Sequence, residues 1–203
     1  MINRRVSKKI RIGNLEIGGN APISVQSMCN TDTRDVDATV SQINQLTDAG
    51  CELIRVAILD KDAAQDISSI KKKIKIPLVA DFHFDYRLAI ESIKNGADGL
   101  RLNPGNIGKR EFVKEVVKCA KERQIPIRIG VNAGSLEKEL QRLPIPHFNK
   151  MVMSASAHIK ILEDMDFDLI KISLKASDVI TTIRAYEWMA FDVDYPFHLG
   201  VTV

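Results

Sequence analysis

The sequence predicts an α/β fold: an incomplete TIM-type (β/α)8 barrel with seven parallel strands and six helices, preceded by an N-terminal β-hairpin. Three observations carry that expectation. Strand-like and helix-like segments alternate along the chain, which implies parallel strands joined by helical crossovers. Prolines stand where four strands are expected to open, at Pro22, Pro77, Pro126 and Pro196, positions that need no ladder donor. Within the strands, charged and amide residues keep one parity while Ile, Leu, Val or Phe fills the other. Successive strand side chains point to opposite faces, so one sheet face is polar and the other apolar. If helices cover the apolar face, the polar face lines the inside of a barrel. A doubly wound open sheet is the competing reading. It buries both faces and needs apolar residues at both parities, which most of these strands lack.

The first stretch, IRIGNLEIGGN, alternates around Gly13-Asn14 and reads as a hairpin, with Gly-Asn supplying positive φ. Strand one falls at Ile23–Met28 and its helix at Val36–Ala49, ended by Gly50. Strand two is Leu53–Leu59, with helix Ala63–Ile74. The lysine run Lys71–Lys75 closes that helix, where cations suit the dipole, and reads as a solvated face. Strand three is Leu78–Phe84, with helix Arg87–Lys94 ended by Gly96. Strand four, Gly99–Leu102, leads to helix Glu111–Arg123. Strand five, Ile127–Val131, leads to helix Lys150–Asp164 through a long connection, Ala133–Asn149. That connection holds the apolar-periodic piece Leu136–Leu143 and reads as an elaborated active-site loop. Strand six is Leu169–Leu174, with helix Val179–Phe191, and strand seven is Phe197–Thr202. The 203 residues are expected to form one domain, 1–203, truncated before the eighth βα unit; a complete barrel takes about 250 residues.

The hydrophobic fraction of 45% suits a globular core, and the net charge of +3 is too small for a nucleic-acid coat. Cys29, Cys51 and Cys119 show neither C-x-x-C nor metal-ligand spacing. An odd cysteine count without a signal peptide points to free thiols in a reducing compartment. MINRRVSKKI is basic but lacks an apolar core, and no run approaches the ~18 apolar residues of a membrane span. A cytoplasmic protein without nucleic-acid or membrane partners is expected.

The polar parity holds the candidate site. Arg55 stands alone on its strand; Asp81 pairs with His83, Arg101 with Asn103, and Arg128 with Asn132. Lys171, Ser173 and Lys175 share a face, as do His198 and Thr202. The inward cations Arg55, Arg101, Arg128, Lys171 and Lys175 meet one carboxylate, Asp81. Burying unpaired charge costs on the order of several kcal/mol per ion, so an anion is expected in the lumen. Barrel sites lie at the C-terminal strand ends. Two glycine-rich loops follow such ends, Asn103-Pro-Gly-Asn-Ile-Gly108 and Asn132-Ala-Gly-Ser135. Glycines let N–H groups converge as an anion nest, and the first loop runs toward a helix N-terminus. Arginine forks and a lysine point charge suit phosphate or diphosphate.

Asp81 and His83 could form a metal pair or an acid/base pair, but the preferred role for Asp81 is neutralising Arg55 or Arg101, with His83 left to contact a ligand. Lys175 could be a Schiff-base lysine or a phosphate contact. Lys171 is expected to pair with Asp81, and His198 reads equally as a lumen histidine or a catalyst.

The stretches APISVQSM, VADFHFDYRLA, LRLNPGNIG, IRIGVNAGSLE, KISLKASD and HLGVT resemble the barrel domain of the 4-hydroxy-3-methylbut-2-enyl diphosphate synthase family. The likeness runs from about Arg5 to Thr202. It implies reductive opening of 2-C-methyl-D-erythritol 2,4-cyclodiphosphate in the non-mevalonate isoprenoid pathway, with flavodoxin or ferredoxin as electron donor. It implies diphosphate contacts at Arg55, Arg101, Arg128, Asn132 and Lys175, and places Asp81 and His83 near the substrate's carbon skeleton. It also implies a homodimer and a further domain holding a [4Fe-4S] cluster through three cysteines and a glutamate, for which this sequence supplies no ligands. The family has a glutamate after HLGVT where this chain has Val203, so no catalytic residue is assigned and the chain alone is expected to be inactive. Two other readings stand beside this one: a truncated remnant that binds anions at most, and a Lys175 Schiff-base aldolase acting on phosphorylated sugars.

Overall fold

A computed structural model describes residues 4–200. Strands β1 (Lys9–Ile12) and β2 (Leu15–Gly18) form the expected antiparallel hairpin, with Ile10 opposite Ile17. At its tip Gly13 takes φ +57°, and a Cβ there would lie 3.0 Å from Pro77, so this turn needs glycine. The hairpin's Ile10, Ile12 and Ile17 pack on Leu53 and Val79 and form an apolar floor under one end of the sheet.

The main sheet is parallel, ordered β3 (Gln26–Met28), β4 (Leu53–Ile58), β5 (Leu78–Phe82), β6 (Gly99–Leu102), β7 (Ile127–Asn132) and β8 (Ile170–Lys175). The expected seventh strand begins as a parallel bridge between Phe197 and Ile172, with the His198 N–H donating to the Ile172 carbonyl at 2.8 Å. Thr202 and Val203 lie outside the described residues.

Three of the four prolines serve as anticipated. The carbonyls of Pro77, Pro126 and Pro196 each accept from the preceding strand, from Ile54, Leu100 and Ile172 at 3.0 Å. These prolines lack a donor, but only their carbonyls join the ladder. Pro22 is the exception. The first strand begins at Gln26 rather than Ile23, and Ile23 is exposed, so Pro22 lies in the segment leading to the strand.

The crossovers are α1 (Val36–Asp48), α2 (Lys61–Lys71), α3 (Tyr86–Lys94), α5 (Arg110–Glu122), α7 (His147–Glu163) and α8 (Val179–Asp192). Two four-residue helices lie within connections: α4 (Pro104–Ile107) and α6 (Lys138–Gln141). Asp35, Asp60, Asp85 and Asp178 cap α1, α2, α3 and α8, each accepting from a first-turn N–H. The lysine run is solvated at Lys72, Lys73 and Lys75, where Lys73 reaches Asp37 at 2.7 Å on the surface; only Lys71, paired with Asp98, is half-buried.

From β4 to β8 one parity, including Ile54, Val56, Leu100, Leu102, Ile129 and Ile172, is buried under Ile43, Ile67, Ile93, Val116, Met151 and Ile159 of the helices. The other parity faces the concave side, where polar residues line the lumen. This distinguishes the curled barrel from an open sheet. Among the described residues no helix is long and apolar enough to cross a membrane.

Candidate functional site in the barrel lumen

Strand register assembles the charged residues. Asp81 lies opposite Arg101, Arg101 opposite Arg128, and Arg128 opposite Lys171, giving one row across four neighbouring strands. Further along, Gly130 faces Ser173 and Asn132 faces Lys175. Together with Met28, Arg55 and His83, these strands surround a cavity of about 210 Å³ near their C-terminal ends.

Asp81 acts as the counter-ion. Its carboxylate accepts from Arg101 Nη1 at 3.2 Å and lies 3.4 Å from Arg55 Nε. Arg101 also donates from Nη2 to the Gly130 carbonyl at 3.2 Å. A Cβ on Gly130 would stand 2.7 Å from Arg101 Nε, so glycine makes room for this guanidinium. Arg55 rests on the Met28 sulfur, with Nε 3.0 Å from Sδ. The expected Lys171–Asp81 pair does not form, because the two arginines occupy both carboxylate oxygens.

The other side of the lumen has no such partner. Arg128 is 3% exposed, and its Nε and Nη1 have no hydrogen-bond partner among the described residues; Arg101 Nε is also unpartnered. Burial, then Arg55 and Arg101, pull the Arg128 guanidinium down to about 9. Burial, then Arg128 and Arg55, bring Lys171 down to about 7. Lys175 falls to about 8 through burial and the same arginines. Each shift expresses the cost of accumulating positive charge away from water. An anion in the cavity would oppose it.

Of the residues singled out from sequence, Arg55, Asp81, His83, Arg101, Arg128, Asn132, Ser173 and Lys175 line the cavity. Asn103 and His198 do not. Asn103 turns into its own loop, accepting from the Gly105 N–H at 3.2 Å and donating to Ser135 Oγ at 3.1 Å. The loop's Gly105 N–H is thus taken by a side chain of the same loop, and α4 ends before the longer α5 begins. This departs from the anticipated anion nest.

His198 instead lines a neighbouring opening of about 550 Å³ between the β3 side and the Phe197 segment, together with Lys171 and Lys175. Burial and the cations Arg128 and Lys171 push its imidazole down to about 2, which keeps it neutral. Tyr186 holds this segment, donating to the His198 carbonyl at 2.6 Å and accepting from the Leu174 N–H at 3.0 Å. Met28, Gly130 and Asn106, whose Nδ2 lies 3.2 Å from His83 Nδ1, also shape the site and were not anticipated. Parity places Met28 and Gly130 inward, but their residue types carry no signal of a role.

Residues 7–203 match the family model described as the GcpE TIM-barrel domain. The chain belongs to this family. A protein of Dehalococcoides mccartyi named 4-hydroxy-3-methylbut-2-en-1-yl diphosphate synthase (flavodoxin) is 63% identical over 203 residues, covering 100% of this chain and 58% of that protein. A protein of the same name from Geobacter sulfurreducens is 57% identical, covering 97% of this chain and 56% of its own length. The chain therefore spans little more than half the length of these curated relatives. A dihydropteroate synthase structure from Coxiella burnetii superimposes with a TM-score of 0.66 at 13% identity, covering 94% of this chain and 78% of that one, which is a likeness of fold alone.

The iron–sulfur cluster implied by the resemblance does not fit this GcpE barrel's described residues. No group of three or more His, Cys, Asp or Glu side chains among them could hold a metal ion. Cys29 and Cys51 are buried and Cys119 lies on α5. Burial first, then Cys51, pushes the Cys29 thiol up to about 11, away from the thiolate that ligates metal.

Proposed function

We propose that residues 1–203 are the substrate-binding barrel of a 4-hydroxy-3-methylbut-2-enyl diphosphate synthase. In that reading the whole enzyme is a homodimer that takes electrons from flavodoxin or ferredoxin and reductively opens 2-C-methyl-D-erythritol 2,4-cyclodiphosphate. The barrel's part is to bind and orient this cyclic diphosphate. The observation that carries the reading is the cavity in which Arg55, Arg101, Arg128 and Lys175 face one carboxylate, with buried N–H groups of Arg101 and Arg128 unpartnered among the described residues.

Arg128 and Lys175 contact the diphosphate, Arg101 presents its free Nε, and Asn132 and Ser173 add neutral donors. Asp81 pairs with two arginines and aligns them, leaving His83 to approach the carbon skeleton. Bound diphosphate also raises the proton affinity of Lys171 and Lys175, so binding near neutral pH takes up protons.

Calorimetric titration in two buffers of different ionisation enthalpy tests this. Cyclic diphosphate binds with proton uptake and weakens as salt rises, while phosphate-free methylerythritol gives no heat. Equal behaviour of the two ligands, or no binding of either, overturns the reading.

A further inference from the structure

We infer that Asn106 is a positioning residue that holds His83 in a single tautomer, with the proton on Nε2, so that His83 meets the bound ligand as a hydrogen-bond donor. The inference deepens the proposed function and rests on it only for the identity of the ligand.

The argument starts at α4. This helix has one turn, too short to be stable by itself. Three local features hold it. Asn103 caps it by accepting from the Gly105 N–H, and the Asn106 and Ile107 N–H groups return to the Asn103 carbonyl at 3.0 and 3.2 Å. Asn103 Nδ2 ties the turn to Ser135 Oγ at 3.1 Å. Gly105 packs so closely on the following loop that a Cβ would overlap the Ser135 carbonyl, at 1.7 Å. The turn is therefore braced against the loop after β7, and Asn106 is presented from a fixed backbone.

Its amide nitrogen lies 3.2 Å from His83 Nδ1. An amide NH2 donates and has no lone pair to offer, so Nδ1 must be the acceptor. A neutral imidazole that accepts at Nδ1 carries its proton on Nε2. The His83 imidazole makes no other hydrogen bond among the described residues, and its ring lines the cavity. Nε2–H remains to serve a ligand oxygen.

The ring is constrained from its backbone as well. The Asp85 N–H donates to the His83 carbonyl at 2.7 Å, closing a tight turn over Phe84 at φ +63°. Such a conformation is strained for a bulky residue and persists where neighbours fix it. Here Asp85 is the cap of α3, accepting from the Arg87 N–H at 3.0 Å. The side chain is thus oriented by Asn106 and the main chain by the α3 cap.

Histidine-selective 15N NMR on the intact, ligand-free protein tests the inference. The neutral His83 of the wild type shows Nδ1 unprotonated and Nε2 protonated. Asn106→Asp offers an acceptor in place of the donor and reverses the pattern to Nδ1–H. Asn106→Leu yields a mixture. Affinity for the cyclic diphosphate falls roughly tenfold in Asn106→Asp, the scale of one hydrogen bond to a charged group. A wild-type Nδ1–H tautomer, or a pattern unchanged by both substitutions, overturns the inference. Because the tautomer is read without ligand, that failure is separate from a failure of wild-type protein to bind cyclic diphosphate, which would overturn the proposed function.

Discussion

The two sides of the lumen both carry buried cations yet differ electrostatically. On the β4–β6 side, Asp81 sits between Arg55 and Arg101 within 3.4 Å of each. On the β7–β8 side, Arg128 and Lys171, each 3% exposed, and the half-buried Lys175 form no ion pair among the described residues, and Asp81 across the cavity is engaged by Arg55 and Arg101. The first side is a neutralising network that orients arginines. The second holds more positive charge than the shared Asp81 can balance. Buried charges whose partner has been removed are strongly destabilising, whereas apolar replacement of buried charge is often neutral or stabilising. The comparison therefore separates residues that support the fold from residues whose cost is explained by a ligand.

The largest expected effect is on the neutralised side. Asp81→Asn leaves two close arginines without their counter-ion and destabilises the ligand-free protein by about 3–5 kcal/mol. Urea denaturation measures this, and added pyrophosphate should restore part of the loss. A change within error would mean that Asp81 does not hold the network.

Arg128→Met should act in the opposite sense. Removing a buried guanidinium whose Nε and Nη1 have no partner among the described residues stabilises the ligand-free protein by about 1–4 kcal/mol. The same variant loses affinity for the cyclic diphosphate by at least roughly tenfold, since charge-assisted bonds contribute about 1.5–3 kcal/mol. Lower stability together with unchanged affinity would erase the distinction between the two sides.

A smaller effect per step is the response to pH. Lys171, at about 7 in the fold against an ordinary 10.5, binds fewer protons when folded than when unfolded across that window. Its contribution makes the ligand-free protein more stable as pH rises from about 7 toward 10.5, with a slope of at most about 1.4 kcal/mol per pH unit. Lys175 acts in the same direction from about 8. His198, depressed from 6.5 to about 2, adds stability that is lost as pH falls below 6.5. Denaturation curves of wild type and Lys171→Met across pH 7 to 10.5 check this. The variant should show the shallower rise, and parallel curves would show that Lys171 is not desolvated in the fold.

Much of the site was legible because period-two alternation is a local property. Parity alone sends Arg55, Asp81, Arg101, Arg128, Ser173 and Lys175 to one face, and burial of the opposite parity under helices decides which face is the lumen. Asn103 shares that parity but is drawn away at the strand end, where loop hydrogen bonds to Gly105 and Ser135 override the pleat. The pairing of Lys171 was misjudged for a different reason. Residues on one face compete for the same carboxylate, and the register puts Arg101 directly opposite Asp81 while Lys171 lies two strands further on.

By itself the sequence determined the alternation of strand and helix, the hairpin, the inward cations and the family likeness, since each rests on neighbouring residues or on ordered motifs. The tertiary structure alone decided that Asp81 engages Arg55 and Arg101 together, that a side chain at residue 130 would push on the Arg101 guanidinium, and that Asn106 meets His83. Those contacts join residues from different strands and loops. They depend on register, strand spacing and side-chain reach, which pack distant segments together and leave no periodic trace along the chain.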